Sequence, residues 1–72
     1  MAKPMCKLRA RMMEMDVERE ECVKAIRRKD TYWSDRIMER KYFDLGDIYI
    51  LCDLLKIPYE QIPEYFPRIN AV

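Results

Sequence analysis

The sequence predicts an all-α domain of four short helices followed by a C-terminal turn, and three observations predict it. Apolar residues recur at spacings of three and four along successive segments, the period of one helical face. Asp16, Asp30 and Asp44 stand where those segments meet, and Pro58, Pro63 and Pro67 are confined to the C-terminal stretch. The composition is 50% hydrophobic and 38% charged, which supplies a core and a mixed-sign surface. A chain of 72 residues makes one small domain; such a domain buries only about 60% of the surface its unfolded form exposes. A thin stability margin follows.

Met5, Leu8, Met12 and Met15 define the first helix, with Lys7, Arg9, Arg11 and Glu14 on its other faces. Its methionines are suited to filling gaps in a small core. Asp16 is the candidate cap of a second helix, Val17 to Ile26, which carries Cys22, Val23 and Ile26 inward. Glu18, Glu20 and Glu21 lie near its start, where backbone N–H groups favour negative charge, and Arg27, Arg28 and Lys29 close it. Asp30 or Thr31 caps a third helix that runs to Met38 or Glu39 with Trp33 and Ile37 on its inner face. After the loop Arg40-Lys41-Tyr42-Phe43, Asp44 starts a fourth helix, and Asp47 three residues on gives an acidic variant of the capping box.

Ile48, Leu51, Cys52 and Leu55 form the cleanest amphipathic stripe in the chain, the spine of the core. Pro58 ends this helix because proline lacks the N–H a continuing helix needs. One short turn, Tyr59 to Ile62, fits before Pro63, and residues 58–72 form a C-terminal cap. Tyr65 and Phe66 serve either as lids on the core or, with Ile69, as the contact of a homodimer.

The segment from about residue 17 to 38 carries the functional signal. Two helices meeting at a tight basic turn, the second presenting Tyr32, Ser34, Asp35 and Arg36 away from Trp33 and Ile37, are the physical basis of helix-turn-helix reading of duplex DNA. Net charge is only +1, but its distribution is uneven. Residues 1–41 hold 12 Lys or Arg against 8 Asp or Glu, a charge of +4, and residues 42–72 hold 2 against 5, a charge of −3. The positive part contains the reading helix, and a local patch steers a polyanion whatever the total. Arg27, Arg28 and Lys29 are candidate phosphate contacts as well as partners of a helix C-terminus.

The stretches Phe43-Asp44-Leu45-Gly46-Asp47-Ile48-Tyr49, Leu54-Leu55-Lys56-Ile57-Pro58 and Ile62-Pro63-Glu64-Tyr65-Phe66 resemble those of small phage-repressor or Cro-type helix-turn-helix proteins, over roughly residues 7 to 66. That resemblance implies a compact five-helix, lambda-repressor-like fold. It implies that Thr31 to Met38 is the recognition helix, with Thr31, Tyr32 and Arg36 approaching base edges. Asp35 is added to that set because a carboxylate accepts from cytosine N4, although it repels phosphate, as does Glu39. By the same resemblance, Arg19 holds a phosphate-binding position on the second helix, and Arg40 and Lys41 lie in a loop that touches phosphate. The family places glycine in the turn after its second helix and again after its third. Arg27 and Glu39 stand near those points here, which implies a different turn or a modest strain.

The expected function is that of a sequence-specific transcriptional regulator, phage or prophage encoded, bound to double-stranded DNA as a homodimer. A helix-turn-helix module that binds a regulatory protein partner instead, such as an antirepressor, a polymerase subunit or a phage component, is the alternative. Catalysis is not expected: there is no histidine, the lone Gly46 excludes a glycine-rich phosphate loop, and no serine or cysteine has a recognisable base partner. Cys6, Cys22 and Cys52 are odd in number and far apart, so reduced thiols and no metal or other cofactor are expected. The longest apolar stretch, Ile48 to Cys52, has five residues, against the roughly 20 needed to cross a bilayer. With no apolar run near the start, a cytoplasmic protein without a secretory signal or membrane partner is expected.

Overall fold

The computed structural model describes residues 5–66, which form helices and no strand. Their order is α1 (Cys6–Glu14), α2 (Arg19–Ile26), α3 (Asp30–Ile37), α4 (Leu45–Leu55), a 3-10 turn (Tyr59–Gln61) and α5 (Ile62–Tyr65). Pro67 and Ile69 lie outside the described residues. No helix among the described residues is long and apolar enough to cross a membrane.

The core follows the apolar stripes. Leu8 of α1, Cys22 and Ile26 of α2, Trp33 and Ile37 of α3, and Ile48, Leu51, Cys52 and Leu55 of α4 are buried together with Phe43, Ile57, Ile62 and Phe66. Met5, Met12 and Met15 pack against that cluster while partly exposed, as gap fillers do. Trp33 meets Phe43 edge to face at 5.6 Å and Phe43 meets Phe66 at 5.7 Å, so one aromatic row ties α3 to the C-terminal end. Phe66 is therefore a core residue; Tyr65 is partly buried beside it.

Helix ends, rather than helix cores, are where the sequence expectations need correction. Asp16 does not cap α2. It ends α1 in the left-handed region (φ 54°), with its N–H on the Met13 carbonyl and that of Val17 on Met12, so that α2 starts two residues later than expected, after Glu18. Lys29, not Asp30 or Thr31, occupies the N-cap of α3, and Asp30 is its first helical residue. Asp44 is the N-cap of α4 but makes no side-chain capping bond, and Asp47 turns into the protein instead of closing a capping box. Lys56 (φ 55°) ends α4 before Pro58 is reached, and Pro63 sits inside the first turn of α5, where a missing N–H costs nothing.

Four helices share one kind of stop. Asp16, Arg27, Glu39 and Lys56 all have positive φ at the ends of α1, α2, α3 and α4. After Arg27 the Arg28 N–H reaches the Val23 carbonyl, and after Glu39 the Arg40 N–H reaches Asp35, the closure that favours glycine. The two positions where glycine was missed in the sequence thus keep the glycine-type turn, at a cost of about 1–2 kcal/mol for each ordinary side chain. Arg11 offsets part of the cost at Lys56: its Nε and Nη2 donate to the carbonyls of Leu55 and Lys56, both at 2.9 Å, tying α1 to the end of α4.

All three cysteines are free thiols. Burial, with Glu21 adding to it, pushes the Cys22 thiol up to about 11, and burial raises that of Cys52 as well, so both behave as small core hydrophobes.

Candidate nucleic-acid interface

The turn between α2 and α3 is Arg27, Arg28 and Lys29. The left-handed Arg27 reverses the chain and the extended Lys29 (ψ 162°) launches α3, so three consecutive cations are displayed at one corner, all exposed. The apolar pair Trp33 and Ile37 fixes how α3 rolls on the core. Once those two are buried, Thr31 and Asp35 lie on the opposite side of α3 and Arg36 on its flank, because helical side chains advance by about 100° per residue.

The result is a shallow open groove of about 570 Å³ lined by Arg27, Arg28, Lys29, Thr31, Tyr32, Asp35, Arg36 and Lys41. All eight are residues singled out from the sequence as base or phosphate contacts. Five carry positive charge and one carries negative charge. Arg27, Lys29, Arg36 and Lys41 make no ion pair with any described residue. A concave surface with several unneutralised cations focuses positive potential where a polyanion would sit.

Two candidates stand apart from the groove. Arg19 donates from Nη2 to the Ser34 hydroxyl at 3.1 Å and lies 3.7 Å from Asp30, clamping the start of α2 to α3. Arg40 pairs with Asp35 at 3.5 Å, which neutralises the only carboxylate among the described residues of the groove lining. Both arginines remain largely exposed, and exposed pairs of this kind hold their partners by at most about 1 kcal/mol.

Tyr32 is the residue whose setting differs most from expectation. Its hydroxyl is turned inward and donates to the carboxylate of Asp47, with Asp44 at 3.5 Å. Burial, then the Asp47 hydrogen bond, push this phenol up to about 12, so it stays a protonated donor. Its ring meanwhile carries two guanidinium groups: that of Arg36 at 3.5 Å from the ring centre and that of Arg28 at 4.7 Å. The Nε of Arg36 is buried there with no hydrogen-bond acceptor among the described residues.

Arg28 closes the circuit, 3.8 Å from Asp47 and 3.9 Å from Asp44. Asp47 is thus the residue that sequence reasoning missed. Its spacing from Asp44 fits a capping box equally well, and only the position of Tyr32 on the facing helix tells the two apart. Among the described residues no cluster of three or more His, Cys, Asp or Glu is placed to hold a metal ion. No family model, curated protein or solved structure matches the chain.

Proposed function

We propose that this chain is a sequence-specific DNA-binding regulator whose α3 enters the major groove of a duplex. The observation that carries the reading is the groove beside α3, in which four further cations and one paired carboxylate surround Arg36 and Thr31. Arg36 and Thr31 contact base edges there. Arg27, Lys29 and Lys41 contact phosphate, and Arg28 does so in competition with Asp44 and Asp47. Arg19, bracing α2 on Ser34, and Arg40 reach the backbone at the margins. Asp35, held by Arg40, accepts from cytosine or excludes a base that offers only acceptors. The lambda-repressor-like arrangement and a two-fold homodimer belong to the same proposal, since one recognition helix reads only a few base pairs.

A second reading has its own observation. Leu45, Tyr49, Ile50 and Tyr59 are exposed along one side of α4, with the Tyr49 and Tyr59 rings 4.9 Å apart. An apolar face of this kind suits a protein partner. Retention on a mixed-sequence duplex at rising salt separates the two readings. A DNA reader loses affinity steeply, because each phosphate contact releases condensed cations, whereas a protein-binding module shows no retention at any salt.

A further inference from the structure

We infer that Asp47, which lies on α4 behind the groove, is a positioning residue that sets base preference by holding Tyr32 under Arg36, and that the base read is guanine. The inference rests on the DNA-reading function proposed above and goes beyond it, to the base recognised and to a residue that would touch no DNA.

Two contacts in series link Asp47 to the groove. Asp47 is buried, and its carboxylate accepts the Tyr32 hydroxyl, so the far edge of the phenol ring is anchored to α4. The anchored ring presents its face to the Arg36 guanidinium at 3.5 Å, the distance of direct stacking. A planar cation laid on a fixed ring loses most of its rotational freedom before any ligand arrives. Ordering a long side chain in advance is worth about threefold to tenfold in affinity.

The same stack decides which end of Arg36 is offered. Nε is shut away without an acceptor, so the edge formed by Nε and one terminal nitrogen is closed to a ligand. What remains is the end-on pair of terminal nitrogens, two parallel N–H donors. Guanine alone presents two acceptors, O6 and N7, side by side in the major groove. Adenine sets a donor beside its acceptor, and thymine a methyl. Arg28 does not fill the same role although it also lies over Tyr32, because it stands 4.7 Å from the ring centre and within 4 Å of both Asp44 and Asp47.

The test starts from duplexes enriched by the full chain from a random pool and finds the base pair whose preference disappears in Arg36→Ala. Guanine at that position is then replaced by adenine or by 7-deazaguanine, which lacks the N7 acceptor. The parent chain should favour guanine over each by about tenfold or more. Tyr32→Phe, which keeps the ring and removes the hydroxyl, should cut the preference about threefold to tenfold, with the salt slope on mixed-sequence duplex unchanged. Asp47→Ala should cut it similarly, and the double variant no further, since both act through one bond. In the free chain the Arg36 Nε proton should exchange slowly with water, and faster in Tyr32→Phe. Full guanine preference in a folded Tyr32→Phe, an Arg36-dependent base other than guanine, or an Nε proton that exchanges like an exposed one overturns the inference while leaving DNA reading intact. A parent chain that enriches no sequence overturns the reading itself.

Discussion

The guanidinium of Arg36 lies 3.5 Å from the centre of the Tyr32 ring, and its buried Nε has no acceptor among the described residues. An arginine that stability alone had placed would be expected to satisfy that donor, because a buried N–H without a partner costs about 1–3 kcal/mol. On the proposed reading, the two terminal nitrogens are the end of Arg36 left for a guanine edge.

Arg36→Ala should therefore weaken binding to an enriched duplex by about 1–3 kcal/mol with little change in folding stability. The stack on Tyr32 is lost, but so is the unpaired donor, and the two effects oppose each other. Titration of the duplex into variant and parent, each followed by circular dichroism during melting, checks this. Equal affinity in a folded variant would remove Arg36 from the reading surface.

The basic corner acts differently. Replacing Arg27, Arg28 and Lys29 with glutamine should lower affinity for every duplex and flatten the dependence of log K on log salt. The slope should fall by about 0.9 for each of these cations that meets a phosphate. An unchanged slope would reduce the cluster to a favourable charge at the end of α2.

How much of this was legible in the sequence varies with the physics involved. The all-α core was legible, since Trp33 with Ile37 and Ile48 with Leu51, Cys52 and Leu55 declare their faces by spacing alone and all are buried. Of the candidate contacts, the eight around α3 converge on one groove because α3's roll is fixed by two large apolar residues. Helix ends were read less well. Asp16, Asp30 and Asp47 are good capping residues by type, but competing partners claim each: a left-handed stop at Asp16, Arg19 at Asp30, Tyr32 at Asp47. Arg19 and Tyr32 lie in other segments, beyond the reach of local pattern, and the stop at Asp16 is a backbone conformation that residue type does not announce.

The left-handed stops give a stability prediction away from the groove. Lys56→Gly should stabilise the chain by about 0.5–1 kcal/mol, the strain relieved at φ 55° less the freedom glycine adds to the unfolded state. For a domain of this size that raises the melting temperature by about 2–8 °C. The Lys56 carbonyl that receives Arg11 is untouched. A lower melting temperature would show that Lys56 is not strained.

Leu51 tests the core. It is fully buried at the middle of α4, and Leu51→Ala should cost about 2–5 kcal/mol through lost burial and the cavity left behind. That is a large share of the total stability a small domain has. Denaturant unfolding measures it, and a midpoint close to that of the parent would mean the packing around α4 is not the spine of the fold.

The most direct test of the central claim, that duplex DNA seats on the groove beside α3, is a map of backbone amide shifts as an enriched duplex is titrated into the isotope-labelled chain. The largest changes should fall on Arg27, Arg28, Lys29, Thr31, Asp35, Arg36 and Lys41, with Arg19 and Arg40 at the margins and Leu45, Tyr49 and Tyr59 unmoved. Changes centred on Leu45, Tyr49 and Tyr59, or none at all at saturating duplex, would contradict it.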